Sequence, residues 1–260
     1  EENIAANITG AYLLGYDTIK IKGKSTISVK DREIIRESMR RLVGMEILDE
    51  DASNIDGQFL LDETSLNPKK IFKRMSSIAL GMFDETLSTL TTGDSTNLQT
   101  IPNRDDEINR QYFLLVRFIR STMVDRRLAG IFNLENIDIL DYRIAGNILE
   151  TAGDTIVDLS KSITDTSLSG TDQKKIYEIA KDIENIQKKA IDAFITNNRS
   201  LAIEAIKLHG QHQEKVSKIR SSLEHKKQTP IAFLDLIYIF EKIAQSWSDI
   251  SDLVQPTYRK

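Results

Sequence analysis

Four prolines constrain what this chain can fold into, because each stands where a helix would begin or stop. Proline lacks a backbone N–H and its ring clashes with the preceding turn, so a helix accepts it in the first turn or after the end and breaks elsewhere. Asn67-Pro68 and Thr229-Pro230 each pair a capping residue with proline at the first helical position, Pro102 reads as a loop residue just before a helix, and Pro256 follows the last one. Between these points apolar residues recur every three or four positions, which predicts six helices over 68–91, 104–126, 137–164, 171–197, 199–226 and 230–254. The fourth carries Ile176, Ile179, Ile183, Ile186, Ala190 and Phe194 on one stripe. The last carries Phe233, Ile237, Phe240, Ala244, Trp247 and Val254, close to a heptad seam. Long helices joined by short connections imply antiparallel bundles.

The first 66 residues read differently. A helix from Asn3 to Leu14 closes at Gly15, and Asp17 to Lys22 alternates as a half-buried strand with Ile19 and Ile21 on one side. Ser28 caps a second helix that carries Ile35, Met39 and Leu42 and stops at Gly44. Glu46 to Glu50 and Gln58 to Asp62 read as two strands joined around Asp56-Gly57, a favourable turn pair. The expected organisation is mainly α: a small α/β module over 1–66, a three-helix bundle over 67–165 and a second three-helix bundle over 166–260. A short internal match supports duplication of the bundle. Glu150-Thr-Ala-Gly-Asp154 with Asp158 recurs 91 positions on as Glu241-Lys-Ile-Ala-Gln245 with Asp249.

Composition narrows the function classes. A chain of 260 residues with 40% hydrophobic and 28% charged residues is long and apolar enough for a sizeable core. Its net charge of -4 speaks against a broad basic surface for nucleic acid. The lack of cysteine removes disulfides, thiol catalysis and iron–sulfur ligation and fits a reducing cytoplasm, and no apolar run is long enough to cross a bilayer. The chain opens on Glu1 and not on methionine, so a longer protein with an upstream domain is expected.

The chemistry lies in two acidic stretches. Asp105 and Asp106 stand with Asn109 on one helix, and Glu150, Asp154 and Asp158 step by four along another, which stacks their carboxylates on one face. Such a row is either a solvated charged face or one wall of a cation site. Packed against the Asp105 stretch it would offer oxygen ligands from two helices to a hard or borderline metal. Arg143, seven residues before Glu150, is the expected anchor for the acids. The second copy is poorer, because Gln245 replaces an acid and only Glu214, Glu241 and Asp249 remain as candidate ligands of a weaker site.

Other features carry less. His209 and His212, three residues apart, read either as metal ligands from one helix face or, among Lys207, Gln211, Gln213 and Lys215, as part of an exposed polar face, the commoner setting. No Glu-x-x-His pair, phosphate-binding loop, dinucleotide fingerprint or nucleophile elbow occurs, so no catalytic residue is assigned. Gly81, Gly146, Gly153 and Gly210 fall inside predicted helices, where glycine costs up to about 1 kcal/mol, and so mark close helix approach or room beside the acids.

The stretch from Asp105-Asp-Glu-Ile-Asn-Arg to Arg117, followed by Leu140-Asp-Tyr-Arg143 and Leu149-Glu150 with Asp154, resembles the PhoU phosphate-uptake regulators, especially their archaeal branch. Ala11-Tyr-Leu-Leu-Gly-Tyr-Asp17 and Arg41-Leu-Val-Gly44 resemble the segment that precedes the bundles in those proteins. The resemblance implies two tandem three-helix bundles, each able to bind metal through acidic E(D)-x-x-x-D motifs, here Asp105 with Asn109 and Glu150 with Asp154. It implies a non-enzymatic, cytoplasmic regulator that acts by contact with the phosphate transporter ATPase or with a signalling or transcriptional partner, and that forms homodimers. The metal would be divalent or trivalent: Mg, Ca, Mn, Fe or Zn. Many archaeal relatives carry an AbrB-like DNA-binding domain upstream, which residues 1–66 do not match. Two alternatives stand beside this reading. One is the sensing and dimerising body of a transcription regulator, and the other is a metal-dependent helical-bundle enzyme.

Overall fold

The computed structural model describes residues 4–165, 170–224 and 231–254. The chain runs α1 (Ile4–Leu13), β1 (Thr18–Lys22), α2 (Val29–Arg40), β2 (Met45–Glu50), β3 (Asn54–Phe59), α3 (Pro68–Thr92), α4 (Ile101–Val124), α5 (Arg126–Ile131), α6 (Asn136–Asp165), α7 (Gly170–Thr196), α8 (Arg199–Glu224) and α9 (Ile231–Asp252), with short 3₁₀ turns at Glu63–Ser65 and Thr96–Thr100. The architecture is mainly α: a small α/β module followed by two three-helix bundles, α3 with α4 and α6, then α7 with α8 and α9. It divides into two compact units, one of residues 1–72 with 109–144 and one of residues 73–108 with 145–260, so α3, α4 and α6 each contribute to both.

Asn67 caps α3 as its sequence implied, its side-chain oxygen accepting from the Lys69 N–H at 2.9 Å. Pro102 corrects the proline reading, since it is the second residue of α4 and not a loop residue. The first-turn N–H has no intrahelical partner to lose, so proline is tolerated there. Thr229-Pro230 and Pro256 lie outside the described residues.

In the first unit the sheet is antiparallel with order β1-β3-β2. The hairpin turn also differs from its sequence reading. Asp56 and Gly57 lie inside β3, paired with Lys20 and Ile19 of β1, while the chain turns at Asp51 to Ser53. The Asp51 carboxylate accepts from the Asn54 side-chain amide at 2.8 Å and from the Ser53 and Asn54 N–H groups at 2.7 and 2.8 Å, and these bonds hold its pKa well below the usual carboxylate range. Gly57 serves packing instead, because a Cβ there would come 2.7 Å from the Met39 sulfur of α2. The core of this unit closes on Arg117 of α4, whose side chain is fully buried. Its guanidinium lies 3.8 Å from the Phe59 ring centre and 5.2 Å from that of Tyr12, donates to the carbonyls of Tyr12 and Tyr16 at 3.2 and 2.9 Å, and pairs with Asp17.

The second unit is built on the predicted stripes. Ile176, Ile179, Ile183, Ile186 and Ala190 of α7 and Phe233, Ile237, Phe240, Ala244 and Trp247 of α9 are all buried. Val254 falls two residues beyond the end of α9 yet stays buried against Ala193 and Ala202. Phe83 of α3 meets Phe240 edge to face at 6.1 Å.

Candidate functional site

Within the second unit, α4 and α6 bring an acidic cluster together. Asp105, in the second turn of α4, is only 9% exposed. It can sit so deep because Gly153 of α6 faces it, where a Cβ would lie 2.7 Å from Asp105 Oδ1 and 3.0 Å from Ile108 Cδ1. Burial pushes the Asp105 carboxyl up to about 7, the charges of Asp154, Glu150 and Asp106 push it the same way, and a hydrogen bond with Asp154 favours its protonated form. At neutral pH Asp105 therefore keeps its proton for much of the time, held toward the Asp154 carboxylate.

The remaining sequence candidates fall as follows. Glu150 is half-buried, and its charge and that of exposed Asp106 act on Asp105. Asp158 is exposed and lies 3.7 Å from Lys161 of its own helix. Asn109 is half-buried and belongs to the first unit. Arg143, the expected anchor for the acids, instead donates to the Tyr112 hydroxyl at 2.6 Å, with its guanidinium 5.3 Å from the centre of the Tyr112 ring. An aromatic hydroxyl on α4 thus engages one guanidinium nitrogen in place of a carboxylate. Glu241 pairs with Arg220, and the Gln245 amide donates to Asp249 at 2.6 Å, so the second copy holds an ion pair and an amide–carboxylate bond where the first holds crowded acids. Glu214 is exposed.

The donor set of the first cluster suits a hard cation in kind. All its ligands are carboxyl oxygens, and a cation would relieve the like-charge crowding that now raises the Asp105 pKa. In placement, no group of three or more His, Asp or Glu side chains among the described residues is arranged to hold a metal ion.

The histidines overturn their sequence reading. His209 and His212 are 7% and 0% exposed, not part of a solvated face. Burial pushes His212 down to about 4, against the opposing pull of the Asp182 carboxylate, whose oxygen lies 4.0 Å from Nδ1. The long side chains of Lys207, Gln211 and Lys215 hid this, since helix faces alternate faster than a polar composition reveals. Arg117 was also passed over. Its signal was a lone cation inside Leu114-Leu-Val-Arg-Phe-Ile119, an otherwise apolar run that only a buried charge explains.

Residues 72–163 match the PhoU domain family. Among solved structures, the chain is similar to the phosphate transport system regulatory protein PhoU from Streptococcus pneumoniae, at 17% identity over 72% of this chain and 91% of that one, with a TM-score of 0.60. It is also similar to PhoU from Pseudomonas aeruginosa, at 14% identity over 72% of this chain and 93% of that one, with a TM-score of 0.53. At these identities the likeness is one of fold. No curated protein sequence matches the chain. No helix among the described residues is long and apolar enough to cross a membrane.

Proposed function

We propose that this chain, which carries a PhoU-type domain across residues 72–163, is a non-enzymatic regulator of phosphate uptake and phosphate homeostasis. It acts in the cytoplasm through contacts with the phosphate transporter ATPase or with a signalling or transcriptional partner, and it works as a homodimer. The observation that carries the reading is a coincidence of position. The domain match covers the helix segments that bring Asp105, Glu150 and Asp154 together, while no nucleophile–base pair accompanies them in the sequence.

A divalent or trivalent cation at this cluster would draw on Asp105, Asp154 and Glu150, which must close up from their placement here to hold it. When bound, it would supply positive charge for an anionic group of a partner or of phosphate itself. The chain's own part is to hold the carboxyls close: Gly153 clears the space and the Asp105 hydrogen bond to Asp154 keeps the pair assembled until the proton leaves. Uptake of labelled phosphate by phosphate-replete cells lacking the gene tests the regulatory reading. Raised uptake is expected, and unchanged uptake overturns it. Equilibrium dialysis with metal analysis, beside a Glu150→Ala/Asp154→Ala variant, tests the cation, and equal metal in both proteins overturns that part alone.

A further inference from the structure

The first unit contains a cavity of about 630 Å³ that the acidic cluster does not use, formed where the end of α4, the short α5 and the start of α6 meet. Its lining is largely apolar, with Ile119, Met123, Leu134 and Leu140 among the side chains. Met123 and Leu140 are 70% and 53% exposed, an unfavourable placement for two large apolar residues unless something covers them. Its polar lining consists of two guanidiniums, from Arg126 and Arg143, and the neutral side chains of Thr122 and Asn136, and no acid contributes to it.

The two cations differ from their neighbours in how they are satisfied. Arg127, next in the chain, is neutralised by the Asp125 carboxylate through its Nε and Nη2. The Arg126 side chain makes no hydrogen bond or ion pair among the described residues. Arg143 is steadied by the Tyr112 hydroxyl, a neutral acceptor that fixes one nitrogen and leaves the charge uncompensated. An apolar hollow of ligand size with a few fixed polar groups is the usual form of a small-molecule site, and two uncompensated guanidiniums select the sign of the ligand.

We propose that this groove binds an amphipathic anion: an aliphatic chain of about ten carbons in the apolar hollow, its carboxylate shared between Arg126 and Arg143. The chain covers Met123 and Leu140, and the head group supplies the acid that the lining lacks. This site is independent of the regulatory reading and of the acidic cluster, which lies in the other unit.

Decanoate is the probe, measured on the full chain by calorimetry and by displacement of an anilinonaphthalene sulfonate dye, with decanol as the neutral counterpart. One saturable decanoate site is expected, with decanol bound at least about tenfold more weakly and each of Arg126→Gln and Arg143→Gln costing about tenfold. Arg126 is exposed and partnerless among the described residues, so its variant keeps the fold and isolates the charge; Leu140→Glu, also at an exposed position, is expected to abolish binding by placing a carboxylate in the hollow. Equal binding of decanol and decanoate, no saturable site, or undiminished binding by Arg126→Gln overturns the proposal. So does capture of a designed acidic amphipathic helix where decanoate fails, which would give the groove to a protein partner.

Discussion

Gly153 of α6 and Asp105 of α4 meet so closely that no side chain fits between them: a Cβ at 153 would stand 2.7 Å from Asp105 Oδ1. The glycine that weakens α6 locally is what lets a carboxyl be buried against its backbone. Gly153→Ala trades a helix-propensity gain of up to about 1 kcal/mol for a clash typical of overpacking, about 1–3 kcal/mol, so net destabilisation is expected. Gly210→Ala, in α8, is the control, because nothing lies within 4 Å of its added Cβ, and it is expected to stabilise. Urea unfolding of both variants checks the pair, and equal shifts in one direction would remove the special role of Gly153.

Asp105 makes stability depend on pH with an unusual sign for a carboxylate. Its folded pKa, about 7, lies above its ordinary 3.8, so the folded state binds more protons than the unfolded state in between. Stability from this group is present below about pH 4 and is lost as pH rises toward and through 7. Asparagine keeps a donor toward Asp154 without the charge. Asp105→Asn is therefore expected to gain about 2–4 kcal/mol on the wild type between pH 5 and pH 8.5, measured by urea unfolding in chelator. A constant difference across that range refutes the raised Asp105 pKa.

His212 acts on the opposite limb. Its folded pKa of about 4 lies below the ordinary 6.5, so the unfolded state takes up the proton first as pH falls. Its contribution is intact above pH 6.5 and is lost on the way down to 4, up to about 3 kcal/mol. His212→Leu is expected to flatten the acid side of the stability–pH curve while leaving the alkaline side to Asp105. Thermal melts from pH 4.5 to 7.5 read this directly, and an unchanged acid slope counts against a neutral buried imidazole.

The helices were legible because their punctuation is local. Asn67-Pro68, the isoleucine stripe of α7 and the aromatic seam of α9 each encode a boundary or a face within a few residues. The hairpin was not, because Asp56-Gly57 satisfies the same local rule as a turn, while what places Gly57 mid-strand is the Met39 side chain of another element. The acidic stretches were visible as residue types at helical spacing, and the sequence paired the two helices that carry them. Which members converge depended on tertiary facts. Gly153 admits Asp105, Lys161 draws Asp158 aside on its own helix, and Tyr112 takes the guanidinium meant for the acids. The groove at α5 escaped notice altogether, since a six-residue helix carries too little periodicity to be read.

Arg117 is where the first unit is most exposed to a single change. A buried guanidinium with two carbonyl acceptors, two carboxylates (Asp17 and, at 3.5 Å, Glu63) and two aromatic faces leaves several groups unsatisfied at once if it is shortened. Lysine keeps the charge but loses the planar fork that reaches the Tyr12 and Tyr16 carbonyls together and stacks on Phe59. Arg117→Lys is expected to cost about 2–4 kcal/mol, close to the effect of breaking a buried ionic contact. Asp17→Asn is expected to cost under about 1 kcal/mol, because the Asp17 side chain is 69% exposed and screened by water. Hydrogen exchange separates the arginine's role from general loosening. Amides across α1 and β1 should lose protection in Arg117→Lys while those of α7 to α9 keep theirs, and uniform loss along the chain would deny Arg117 its local hold on Tyr12 and Tyr16.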